Sequence, residues 1–98
     1  MEVTFRNAHG ELSSRDRAYA VKKFGFLDRF LNSASRAEVV HREENHEHIV
    51  EVTVFADGKT IRSVEHNLNM RAAIDNASEK LMNQMRRAKD KLVRRKRA

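Results

Sequence analysis

Apolar and polar positions change their period several times along this chain, and each change marks an element. Val3 and Phe5 alternate with Thr4 and Arg6, which predicts a short strand, and Asn7 to Gly10 is the turn out of it. Ser13-Ser14-Arg15-Asp16 has the form of a capping box, with the Ser13 hydroxyl placed to accept an orphan backbone N–H. The helix it opens is expected to run to about Leu31, with Ala20, Phe24, Leu27 and Leu31 on its buried face. Gly25 inside that helix costs about 1 kcal/mol against alanine, and a close approach by a neighbouring strand or helix would be a reason to keep it.

Arg36 to Glu44 reads as a second strand with Ala37 and Val39 inward, and His41 and Glu43 continue that face toward an open end. Asn45-His46-Glu47 is read as a polar loop. From His48 to Ala56, Val50, Val52 and Val54 share one face of a strand, with Glu51, Thr53 and Phe55 on the other. Asp57-Gly58 signals a two-residue hairpin, because a type I′ turn needs positive φ at both positions. It sets Val54 opposite Ile61 and Val52 opposite Ser63 on the return strand, Lys59 to His66. Asn69 then caps a last helix, along which Met70, Ile74, Ala77, Leu81, Met85, Ala88 and Leu92 form one narrow apolar stripe.

The order β-α-β-β-β-α predicts an α+β fold: a four-stranded mixed sheet with two helices packed on one face and the other face open to solvent. The first two strands, joined through a helix, are parallel if adjacent, with a right-handed crossover. Ninety-eight residues make one domain, 1–98, with one core. Residues 93–98 are expected to fray, since four adjacent cations repel and nothing apolar remains to dock.

Charge changes this picture most. Residues 1–79 carry eleven Lys/Arg against thirteen Asp/Glu, a net of −2, whereas residues 80–98 carry nine against one, a net of +8. The overall +6 is therefore the charge of one helix end, flanked along the stripe by Arg71, Lys80, Arg86, Arg87, Lys89, Lys91 and Arg94 to Arg97. Arg15, Lys22 and Arg29 recur every seven residues on the first helix and stack in a second basic row. Two such helices side by side would merge these rows into a cationic face suited to a polyanion, nucleic acid before membrane. Tyr19 and Phe26 beside the first row could stack on an unpaired base, but partial packing against the fold is the preferred reading.

Other chemistry is poorly supplied. His46-x-His48 is the closest pair among five histidines; zinc sites show clearer spacing and more ligands, so the histidines are read as solvated loop residues and no metal or cofactor is expected. Ser13 and Ser14 lack a nucleophile elbow, Gly10, Gly25 and Gly58 are isolated, and Glu43, Glu44 and Glu47 lie in a loop, so no enzyme and no small-molecule substrate are expected. The chain has no cysteine, no apolar signal core and no apolar run approaching the roughly 18 residues that span a bilayer, which favours a cytoplasmic protein without a membrane partner.

Met70-Arg71-Ala72-Ala73-Ile74-Asp75, then Lys80-Leu81, Gln84 and Lys89-Asp90-Lys91-Leu92, resemble the last-helix signature of the ribosome hibernation-promoting factors, also called ribosome-associated inhibitors. Ser13, Arg17 and Lys23-Phe24 followed by Leu27 and Phe30 agree with it, as do Val3-Thr4-Phe5 and the Asp57-Gly58 hairpin. The resemblance covers nearly the whole chain. It implies the same fold, similar to double-stranded-RNA-binding domains. It also implies binding of rRNA on the small ribosomal subunit, in the channel for mRNA and tRNAs, and inhibition of translation during stress or stationary phase. The matched basic positions are Lys23, Lys80, Arg87, Lys89 and Lys91.

Asn69-Met70-Arg71 stands where the family usually has Asp-Met-Tyr, and Asn83 where a basic residue is common; Arg86 and the Arg94 to Arg97 run would compensate. The length corresponds to the short family type, which implies either ribosome pairing with a helper factor or opposition to it. The rRNA-binding set expected on both arguments is Arg15, Lys22, Lys23, Arg29, Lys80, Arg86, Arg87, Lys89 and Lys91. Two other readings stand beside hibernation. One is a double-stranded-RNA-binding module acting off the ribosome. The other is a protein-interaction or dimerisation module using the open sheet, with Ile49 and Phe55 exposed.

Overall fold

The computed structural model describes residues 2–7, 12–25, 27, 34–56 and 59–97, with side-chain surroundings along the last helix as far as Arg87. The elements are β1 (Glu2–Asn7), α1 (Ser14–Phe24), β2 (Ala34–Glu44), β3 (Glu47–Ala56), β4 (Lys59–Asn67) and α2 (Met70–Arg97). The sheet order is β1-β2-β3-β4, with β1 parallel to β2 and the other pairs antiparallel. This is the four-stranded mixed sheet that the alternation predicts.

Both helices cover one face of it. Ala20, Phe24 and Leu27 from the first helical segment meet Met70, Ala73, Ile74, Ala77, Leu81 and Met85 of α2 over Ala37, Val39, Val50, Val52 and Val54 of the sheet. Phe24, Leu27, Ile74 and Leu81 are fully buried, and each such side chain contributes about 1.5–3 kcal/mol. Leu12, just ahead of α1, is a further core residue that the periodicity does not reveal. Leu31, expected on the same face, lies outside the described residues.

Local chemistry sets the element ends. The Asp16 N–H donates to Ser13 Oγ at 3.1 Å, and the Ala72 N–H donates to Asn69 Oδ1 at 3.1 Å, so both expected caps are formed. Helix α1 runs to Phe24 with Gly25 as its C-cap, and Leu27 is again helical; the remainder of the expected stretch to Leu31 lies outside the described residues. A Cβ at Gly25 would meet the Lys22 carbonyl at 3.3 Å and that of Val21 at 3.5 Å, atoms of the preceding turn. No described strand or neighbouring helix presses on Gly25, contrary to the expectation above.

The two hairpins have equal loop lengths. Val54 faces Ile61 and Val52 faces Ser63, as the two-residue reading of Asp57-Gly58 requires; the turn residues themselves lie outside the described set. Between β2 and β3, Asn45 (φ 50°) and His46 (φ 68°) both take left-handed backbone, and Glu47 pairs with Glu44. The polar loop expected at Asn45 to Glu47 is thus a two-residue turn, and β3 begins one residue sooner. The signal was missed because His46 stands where glycine usually supplies positive φ.

The face of the sheet away from the helices differs from expectation at two positions. Ile49 is 2% exposed, not exposed; it stands between Arg42 on β2 and His66 on β4. The Arg36 guanidinium lies 4.5 Å from the Phe55 ring centroid and shields that half-buried ring. The two apolar anchors of the sheet-docking reading are therefore covered. His41 corrects the view of solvated histidines, since it is buried at 2% exposure on the helix-side face.

Candidate nucleic-acid interface

The helices touch along a seam built from opposite charges around one tyrosine. Tyr19 Oη donates to Asp75 Oδ1 at 2.5 Å, and Lys23 Nζ lies 3.4 Å from the same oxygen. Arg71 Nε of α2 reaches back to Asp16 Oδ1 of α1 at 3.6 Å. The Arg71 guanidinium is 4.8 Å and the Lys23 ammonium 5.7 Å from the Tyr19 ring centroid. Ser78 Oγ donates to the Lys23 carbonyl at 3.4 Å. The bond to Asp75 first, then burial and the Asp75 charge, push the Tyr19 phenol above its ordinary pKa of 10.0, so it remains a donor at neutral pH. Tyr19 therefore packs within the fold rather than offering a ring for base stacking; Phe26 lies outside the described residues.

The expected basic residues fall into groups. Arg15 and Lys22 are exposed on α1, and their seven-residue spacing puts them within about 20° of each other around the helix. Arg86 and Arg87 are exposed on α2, on either side and roughly 120–140° around from the buried Leu81. None of these four has an ion-pair partner among the described residues. Lys23 and Lys80 are already engaged. Lys23 serves Asp75, and Lys80 Nζ lies 2.5 Å from Oε1 of Glu65, a carboxylate only 8% exposed. Lys89 and Lys91 lie on the helical backbone of α2, their side chains outside the described set, and Arg29 is wholly outside it.

The packed helices thus do not form one uninterrupted cationic sheet. Asp16 and Asp75 neutralise the seam, and the unpaired cations stand outside it. Arg71 and Arg17 were not in the expected set; Arg71 holds the seam, and the Arg17 guanidinium lies 5.7 Å from the Phe5 ring centroid. Asp16 in the first turn of α1 and Asp75 in the second turn of α2 were the available sequence signals for a cross-helix lock. Among the described residues no helix is long and apolar enough to cross a membrane.

A two-helix layer on a four-stranded mixed sheet, with exposed arginines and a lysine that are unpaired among the described residues, defines a small α+β module suited to docking on a polyanion. Residues 1–93 match the family described as Sigma 54 modulation protein / S30EA ribosomal protein, and the chain belongs to that family. It is 32% identical over 78 residues to a ribosome hibernation promoting factor of Acidithiobacillus ferridurans, covering 76% of this chain and 100% of the relative. A ribosome hibernation promoting factor of Salmonella typhimurium is 29% identical over 92 residues, covering 94% of this chain and 97% of that one. Among solved structures, the Thermus thermophilus Protein Y N-terminal domain superposes with a TM-score of 0.81 at 28% identity, covering 89% of this chain and 98% of that chain. A ribosomal subunit interface protein from Coxiella burnetii, 22% identical with a TM-score of 0.81, shares the fold, covering 92% of this chain and 99% of that one. The family that the Met70 to Asp75 and Lys80 to Leu92 pieces suggested is the one found.

Proposed function

We propose that this protein is a ribosome hibernation factor without catalytic activity, which docks its helix layer on rRNA of the small subunit and inhibits translation by occupying the mRNA and tRNA channel. Family membership over residues 1–93 and relatives named as hibernation promoting factors support ribosome association. The observation that carries the docking surface is the set of exposed cations without an ion-pair partner among the described residues: Arg15 and Lys22 on α1, Arg86 and Arg87 on α2. Such cations are available to phosphates without breaking an ion pair among the described residues. Lys89, Lys91 and Arg29 extend the surface on the sequence argument, and Lys23 and Lys80 contribute secondarily because each already neutralises a carboxylate.

The mechanism is steric and electrostatic. Each phosphate contact releases condensed counterions, so affinity falls steeply with salt. The experiment that tests this reading compares affinity for isolated small subunits with affinity for a plain RNA duplex at matched salt. Preference for the subunit by two orders of magnitude is expected; equal affinity would favour a double-stranded-RNA-binding module acting off the ribosome.

A further inference from the structure

At the end of the sheet where both helices begin, three donor groups converge on the helix-side face. His41 and His48 stack with ring centroids 5.2 Å apart and an interplanar angle of 22°. His41 Nε2 lies 3.0 Å from His48 Nδ1, and His48 Nδ1 lies 3.7 Å from Glu43 Oε1. One ligand atom from each of His41, Glu43 and His48 falls within 4.8 Å of the others. We propose that His41 Nε2, His48 Nδ1 and the Glu43 carboxylate form a binding site for one divalent cation of the zinc class, independent of the ribosome-docking surface.

The donor set and the spacing both fit such an ion. Two imidazoles and a carboxylate are borderline ligands, and zinc bonds of about 2.0–2.2 Å in tetrahedral geometry put ligand atoms roughly 3.3–3.5 Å apart. Two of the three separations, 3.0 Å and 3.7 Å, bracket that value, and the third, between His41 and Glu43, lies within 4.8 Å, closed by a rotation of the exposed Glu43 side chain. A fourth position is left for solvent. The scaffold is rigid for its size, because the ligands sit on two paired strands joined by the Asn45-His46 turn: Glu43 is directly opposite His48, and His41 opposite Val50.

A second observation concerns the other nitrogen of the same buried ring. His41 is 2% exposed, yet its Nδ1 has no hydrogen-bond partner, and neither does the buried Oδ1 of Asn7, its register partner on β1. With no bond fixing Nδ1, His41 is free to carry its proton there and leave Nε2 as a lone pair, the tautomer a metal needs. In the metal-free state the proton between the rings then sits on His48 Nδ1. Metal binding moves it to His48 Nε2 with no change in net protonation. Asp16, at the start of α1, adds negative charge near His41.

Isothermal titration of the untagged full chain with Zn²⁺ in a non-chelating buffer tests the site. One ion per chain is expected, with at least tenfold weaker binding in each of Glu43→Gln and His48→Gln, both at positions outside the buried core. Co²⁺ should give the visible absorption of a tetrahedral N/O site, lost in His48→Gln. Zn²⁺ should raise Tm reversibly to EDTA in the parent but not in the variants. His41→Leu keeps an apolar group in the core position and should also abolish uptake. Absence of uptake in the parent would overturn the proposal. So would uptake unchanged in His48→Gln and His41→Leu, which would place the ion on surface histidines such as His46 and His66.

Discussion

The Tyr19 hydroxyl on α1 donates a 2.5 Å hydrogen bond to Asp75 Oδ1 on α2. The same carboxylate oxygen receives Lys23, so one acid ties a phenol and an ammonium from the opposite helix. This fixes how the helices lie side by side, and it consumes cationic charge at the seam while leaving Arg15, Lys22, Arg86 and Arg87 outside it. Division of the basic residues between those paired inside the fold and those unpaired among the described residues is the central feature of the molecule.

Tyr19→Phe tests the lock. It removes the hydroxyl and leaves Asp75 with Lys23 alone, so a charge-assisted, partly exposed bond is lost and stability falls. Urea denaturation should show a lower midpoint with an unchanged slope.

Lys80→Met tests whether Lys80 serves the fold. Glu65 is nearly buried, and Lys80 is its partner. Removing the ammonium strands the carboxylate and should cost roughly 1–3 kcal/mol, well above Lys22→Met at an unpaired surface site. The double variant Lys80→Met/Glu65→Gln should recover part of the loss, because the buried charge is gone. Denaturant midpoints of the parent, Lys80→Met, Glu65→Gln and the double variant complete the cycle.

The outer cations should behave in the opposite way. Arg86→Glu/Arg87→Glu should leave stability within about 0.5 kcal/mol per site and lower small-subunit affinity by at least tenfold. Arg15→Gln or Lys22→Gln should reduce the slope of log affinity against log salt by about one unit each, the mark of a lost phosphate contact. Binding isotherms at three salt concentrations read both effects.

His41 gives a pH dependence in chelator-treated protein. Burial first, and then the charge of His48, lower its pKa from 6.5, against the raising effect of Glu43 and Asp16. A histidine whose folded pKa lies below its unfolded value is protonated first in the unfolded chain. Stability should therefore fall as pH drops below about 6.5 and level off once the folded group also protonates. His41→Leu should flatten this part of the profile, measured as urea midpoint against pH in EDTA.

The fold was legible because its periods are clean. The Val50/Val52/Val54 alternation, the stripe from Met70 to Met85 and the Ser13 and Asn69 caps each carry a local physical reason that the structure repeats. Leu12 escaped because a single apolar residue before a cap has no period. The Asn45-His46 turn escaped because its left-handed residues include no glycine, and with it went the hairpin register that sets Glu43 opposite His48. Pairing the histidines by sequence distance selected His46 and His48, whereas the hairpin brings His41, seven residues away from His48, to 3.0 Å. The basic surface was legible as composition but not as partnership. Lys23 and Lys80 look like Arg86 and Arg87 in the sequence, and the carboxylates Asp75 and Glu65 separate them in three dimensions.

The docking claim stands or falls on co-sedimentation of the purified chain with vacant ribosomes and with isolated small subunits, at low and at high salt. Near-stoichiometric binding to small subunits, competed by mRNA and initiator tRNA and lost in Arg86→Glu/Arg87→Glu, is the predicted result. Pelleting at low salt alone, without competition and unchanged in that variant, would contradict it.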